Sequence, residues 1–224
     1  MRAILAELKA AADPAVRTQM AEQFGIRTPR ALGIKMGTLH AIAKQAGRDH
    51  TLAQALWKTG WYEARTVAVF VAEPAAVSVA MMEQWAADFD NWGICDSACF
   101  HLFDRTPHAL DCVRAWANRK EEFVRRAAFA LLASLALHDK RMPDETFVSL
   151  LPRCERAATD PRNFVKKGVV WALRGIGRRN PALYAAALAI AERLASNDDP
   201  AARWVGTTAR RELTKAGPRI AKKA

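Results

Sequence analysis

The strongest constraint on this chain's fold is a helical pattern that recurs along the sequence. The run Phe123-Val-Arg-Arg-Ala-Ala-Phe-Ala realigns with Phe164-Val-Lys-Lys-Gly-Val-Val-Trp at an offset of 41 residues, and Tyr62-Glu-Ala-Arg-Thr-Val-Ala-Val and Arg203-Trp-Val-Gly-Thr-Thr-Ala follow it more loosely. Within Glu121 to Leu137 and Asn163 to Ile176 apolar residues return three and four positions apart, the spacing of one helix face. No stretch alternates apolar and polar residues as a half-buried strand would. Alanine supplies 46 of the 224 residues, while Thr, Ile and Tyr are scarce, which favours helix over strand. A helical unit of about 40 residues that repeats implies a stack of paired helices, each unit burying its apolar face against the next.

Proline marks where the helices begin. Asp13-Pro14, Thr28-Pro29, Glu73-Pro74, Thr106-Pro107, Met142-Pro143, Asp160-Pro161, Asn180-Pro181 and Asp199-Pro200 fall between the periodic stretches. Proline fits the first helical turn, and Asp, Asn or Thr before it can cap the exposed amides. The expectation is an all-α chain, a HEAT-like α-α superhelix with a concave basic groove. About a dozen helices of roughly 10 to 18 residues would form a single domain over residues 1–216, followed by a frayed basic tail at 217–224.

Charge suggests the partner. Lys plus Arg number 34 against 23 Asp plus Glu, a formal charge of +11 on a chain with 51% hydrophobic residues, so the excess sits on a folded protein. The repeats place cations near the start of one helix in each unit: Arg65, Arg125 and Arg126, Lys166 and Lys167, and Arg203. Stacking would align them as a stripe suited to a polyanion, with nucleic acid ahead of an acidic protein or an anionic membrane surface. The plainer reading is that these are ordinary solvated helix ends. No apolar run reaches the roughly 18 residues of a membrane span, and Glu7 and Lys9 interrupt the N-terminal stretch where a signal peptide would be apolar. Cysteines at 95, 99, 112 and 154 are too few and too uneven for a disulfide framework, which places the expected protein in the cytoplasm.

The segment Asp88 to Phe103, DFDNWGICDSACFHLF, carries the residues most able to do chemistry. Trp92 and Asp96 are four apart and share a helix face, a spacing that also suits a core anchor beside a surface carboxylate. Trp171 lies seven residues beyond Phe164. Trp57, Trp61, Trp85, Trp116 and Trp204 are assigned to core or inter-repeat packing. Cys95 and Cys99, with His108 and Cys112, have the spacing for a Cys3His zinc site. Buried cysteine is nevertheless common in helical cores, and no metal is expected. His40, His50, His101 and His138 read as caps, core or surface.

NWGICDS, EEFVRRAAFALL and NFVKKGVVWALRGIGRRNP, in that order, with FGIRTPRALGIKMGTLHAIAK and ALWKTGWYEAR upstream, resemble the HEAT-repeat DNA alkylation repair family of alkylpurine DNA glycosylases. The resemblance covers roughly residues 20 to 215. It implies double-stranded DNA containing alkylated bases as partner, a monomer without cofactor, and removal of cationic purines such as 3-methyladenine and 7-methylguanine. It implies further that Trp92 and Trp171 pack against the lesion's deoxyribose, that Asp96 is the catalytic carboxylate and that Arg126 engages a backbone phosphate. Arg65, Arg125, Lys166, Lys167, Arg174 and Arg203 complete the expected DNA-binding set. Asn91, Gly93, Ile94 and Cys95 depart from the family pattern around Trp92, and the early-helix aromatic of some members is not evident. The alternative is a HEAT-repeat module that binds bent or damaged duplex without excising a base. A protein-interaction solenoid with an acidic partner is a third reading.

Overall fold

A computed structural model describes residues 1–218, so that most of the expected tail, 219–224, lies outside the described residues. Among the described residues there are thirteen α-helices and no strand. The chain's contacts group into two units, Met1–His108 and Ala109–Ala224. The first holds α1 (Arg2–Ala10), α2 (Pro14–Glu22), α3 (Met36–Ala46), α4 (His50–Trp57), α5 (Tyr62–Val71), α6 (Val79–Ala87) and α7 (Trp92–His101). The second holds α8 (Ala109–Trp116), α9 (Glu122–His138), α10 (Asp144–Ala157), α11 (Asn163–Gly177), α12 (Pro181–Ala195) and α13 (Pro200–Ala216). Among the described residues no helix is long and apolar enough to cross a membrane.

The capping expected from the sequence is present at three of the proline sites. Asp13 Oδ1 accepts from the amides of Ala15 at 2.8 Å and Val16 at 3.3 Å, Asn180 Oδ1 from Leu183 at 2.9 Å, and Asp199 Oδ1 from Ala202 at 2.8 Å. Each acceptor satisfies amides that a helix start leaves without partners. Pro152 lies inside α10. The carbonyl it leaves unbonded, four residues back, belongs to exposed Val148 and can face water.

In the first unit α5 is the hub, packing against α3, α4 and α7. Most of its length is buried, including the carboxylate of Glu63. That carboxylate accepts from the amides of Leu32 at 3.0 Å and Gly33 at 2.8 Å, pinning the segment between α2 and α3. Gly33 has φ +80°, and a β-carbon there would lie 2.3 Å from the Asp13 carbonyl oxygen. Trp57 stacks on Trp85 with centroids 3.9 Å apart, donates from Nε1 to Asp88 Oδ2 at 2.8 Å and carries the Arg65 guanidinium 5.1 Å from its ring centroid. This cluster fixes the chain leading into α7.

In the second unit α9, α11 and α13 pack side by side, and α8, α10 and α12 lie against them. The paired helices expected from the repeat are present, with the related helices starting at 122, 163 and 200. Helix α9 is buried along most of its length. Glu63→Ala would leave one buried and one half-buried amide without an acceptor and should lower the unfolding free energy by about 3 kcal/mol. Urea denaturation followed by circular dichroism measures this.

Candidate nucleic-acid interface

Trp92 and Asp96 belong to the first unit, Arg126 and Trp171 to the second. Helix α7 starts at Asn91, whose Oδ1 accepts from the Ile94 amide at 3.1 Å. Gly93 follows because a β-carbon there would lie 2.8 Å from the Tyr62 hydroxyl and 3.0 Å from Ile26 Cδ1. Two of the departures from the family pattern are therefore a cap and a close packing point. Trp92 is half-buried and donates from Nε1 to the Phe24 carbonyl at 2.8 Å, so its ring has a fixed direction. Asp96 is half-buried on the same face one turn later. Burial, then the charge of Glu63, pushes the Tyr62 phenol up to about 12, and the charge of Asp96 adds in the same direction.

Phe24 was overlooked in the sequence. It is 46% exposed beside the carbonyl that holds Trp92. It follows α2 and enters the resemblance only as the first residue of FGIRTPRALGIKMGTLHAIAK.

The cysteines are core residues. All four are buried thiols. Burial and the neighbouring Cys95 push the Cys99 thiol well above its ordinary value, and burial pushes Cys154 up to about 12. Among the described residues no three His, Cys, Asp or Glu side chains form a group that could hold a metal ion.

In the second unit Lys167, Trp171, Arg174 and Arg178 occur at i, i+4, i+7 and i+11 of α11 and share one face, with Lys167 and Arg178 exposed. Trp171, Arg174 and Arg178 line a cavity of about 460 Å³ with Lys140, Asp144 and Arg179. The sequence had not singled out Lys140, Arg178 or Arg179. Arg179 donates to the carbonyls of Ala136 at 2.9 Å, Asp139 at 2.7 Å and Met142 at 3.1 Å, closing the end of α9. Lys140 donates to the Leu137 carbonyl.

The expected stripe of cations is largely engaged with the protein itself. Arg65 pairs with Asp88 at 3.1 Å, Arg125 with Asp160 at 2.9 Å and Arg174 with Glu212 at 2.6 Å. Arg203 donates to the carbonyls of Asn197 at 3.0 Å and Asp198 at 2.8 Å. Arg126 is 6% exposed and donates from Nη1 to the Phe164 carbonyl at 2.8 Å, so it ties α9 to the start of α11. The partners lie 23 to 38 residues away in sequence for Arg65, Arg125, Arg126 and Arg174, and helix phase does not show them. Lys167 is exposed, and Lys166 places its ammonium 4.9 Å from the ring centroid of Trp204. Trp57, Trp85 and Trp116 are buried in the core, whereas Trp204 packs between repeats under Lys166 and stays 39% exposed.

Asp160 is 3% exposed and bound by both Arg125 and Arg162. Burial works to raise its pKa, but the hydrogen bonds from Arg162 and the charges of Arg162 and Arg125 hold it below the usual carboxylate value. A depressed folded pKa adds stability that is fully present above the unfolded value, about 3.9, and is lost as pH falls through the folded value. Asp160→Asn should therefore be less stable than the parent at pH 7, and the gap should shrink at pH 3. Urea unfolding at the two pH values measures it.

A model of the family described as DNA alkylation repair enzyme matches residues 4–213. One solved structure is described as a new family of proteins related to the HEAT-like repeat DNA glycosylases, with affinity for branched DNA structures. It superposes with a TM-score of 0.77 at 18% identity, over 99% of this chain and 98% of its own. The fold is the HEAT-like helical repeat. An engineered protein reaches a TM-score of 0.42 at 14% identity, over 81% of this chain and 85% of its own. A designed armadillo repeat protein reaches 0.35 at 16%, over 87% and 98%. No curated protein matches.

Proposed function

The chain belongs to the family of DNA alkylation repair enzymes, and on that premise we propose that it is a DNA glycosylase acting on cationic N3- and N7-alkylated purines in duplex DNA. The observation that carries this reading is the pair on α7: Asp96, half-buried, one turn from a Trp92 whose indole is held by a backbone carbonyl. An alkylated purine already carries positive charge, so its glycosidic bond is weakened and the leaving base needs no general acid. The remaining task is to stabilise the cation that develops on the sugar and to position water. A carboxylate about 4 Å from that cation, at an effective dielectric of about 20, contributes about 4 kcal/mol, roughly a thousandfold in rate. Trp92 offers an aromatic face to the same charge, worth about 0.5 to 2 kcal/mol. No cofactor enters this chemistry, and the protein would act as a monomer in the cytoplasm.

In this proposal the phosphates are held by the exposed cations, Lys167 foremost. Arg126 supports α11 from below through Phe164. A second reading has a specific observation behind it: the protein of the same fold at a TM-score of 0.77 is described as having affinity for branched DNA. On that reading this chain binds bent or branched DNA and excises nothing.

Asp96→Asn should reduce release of 7-methylguanine from methylated duplex DNA by about a thousandfold while leaving affinity within a few-fold. Full release by the variant would remove Asp96 from the chemistry. Binding by the parent protein without release of any base would establish the second reading instead. Affinity should fall with salt at about −0.9 log units per phosphate neutralised. Lys167→Ala should reduce that slope by about one unit, and Arg125→Ala, whose guanidinium is held by Asp160, should leave it unchanged. Titrations by fluorescence anisotropy between about 50 and 200 mM salt separate the two.

A further inference from the structure

We infer that Trp204 is a stacking platform for an unpaired DNA base, set at the head of a cationic track that holds the same strand. This rests on the DNA-binding reading above and adds a second site to it.

Trp204 is 39% exposed on a helix whose opposite side is buried, so part of its ring is open to solvent. The ring is not loose, since Lys166 lies 4.9 Å from its centroid. A cation over an aromatic face stabilises the ring's position and brings positive charge beside whatever stacks on it. Trp204, Arg211 and Lys215 recur at i, i+7 and i+11 of α13 and share one exposed face about 16 Å long. Lys167, also exposed, adjoins Lys166 on α11. The patch thus combines one held aromatic face with a run of cations, the arrangement by which proteins take single strands: stacking for the base and charge for the backbone.

The occupant follows from which surfaces DNA offers. Within an intact duplex both faces of each base are covered by their neighbours, so a flat ring on a protein surface has no base face to meet. At a strand end, a gap or a branch point a base face is open. Charge complementarity selects a polyanion over an apolar protein surface, because Lys166 lies against the ring and the exposed Lys167, Arg211 and Lys215 stand on the same two helices. The patch therefore favours DNA with an unpaired segment over blunt duplex.

The test compares full-length protein, Trp204→Ala and Trp204→Phe by fluorescence anisotropy at low salt. The probes are a blunt duplex of about 20 base pairs, the same duplex with a short oligo-dT overhang, and a three-way junction with unpaired thymines. Trp204→Ala should weaken binding to the overhang and the junction about tenfold and leave the blunt duplex within twofold, with Trp204→Phe between. Should Trp204→Ala not fold, Trp204→Phe carries the comparison by itself, with a loss of about threefold on the overhang and the junction. Equal loss on all three DNAs would make Trp204 a duplex backbone contact and overturn the inference while leaving DNA binding intact. Unchanged affinity for every DNA, including the case where the variant only shifts self-association in sedimentation, would overturn it too. Absence of binding by the parent protein to any of the probes would overturn both this inference and the reading it rests on.

Discussion

No β-carbon fits at Gly206. One placed there would lie 2.2 Å from the Ala195 amide nitrogen and 2.5 Å from the Leu194 carbonyl carbon, so α12 and α13 meet backbone to backbone. At Gly177 the demand is softer, since a β-carbon there would meet the movable end of the Leu213 side chain. These contacts fix the rotation of α13 about its own axis. At about 100° per residue, Trp204, Arg211 and Lys215 fall on the side away from Gly206, and the structure shows them exposed. The placement of the aromatic and its cations is thus a consequence of where the helix has no side chain.

The first unit reaches a comparable result with polar groups. Glu63 is buried in α5 and holds the segment after α2 through two amides. The same stretch of chain supplies the Phe24 carbonyl that holds Trp92. The Trp57, Arg65 and Asp88 cluster fixes the approach to α7 from the other direction. The direction of one indole therefore depends on contacts far from it in sequence, and the presented face of α7 is as rigid as the loop beneath it.

Much of this was legible without coordinates, for a physical reason. Helical periodicity and proline with a capping residue are local signals, and local energetics decide them. Asp13, Asn180 and Asp199 cap helices as their sequence positions suggested. The repeat from Phe123 to Phe164 is also local in each copy, and Phe123 and Phe164 now stand 5.2 Å apart, ring to ring. What the sequence could not show is which distant group each charge meets. Arg126 and Lys167 occupy equivalent repeat positions, yet one is buried against the Phe164 carbonyl and the other faces solvent. Trp204 shows the same limit: residue type allows core or inter-repeat packing alike, and the rotation set at Gly206 leaves part of the ring open beside Lys166. Gly93 departs from the family pattern because the Tyr62 hydroxyl leaves no room for a β-carbon there.

The arginine pairs bear on how the net charge of +11 is felt. An ion-exchange resin responds to the long-range field, in which a guanidinium beside a carboxylate still counts within the total. A DNA lattice responds to the ammonium and guanidinium groups that can reach its phosphates and displace its condensed counterions. Arg65, Arg125 and Arg174 add to the first quantity and little to the second. The two media therefore measure different charges on the same molecule, and the smaller one governs how tightly it holds a strand.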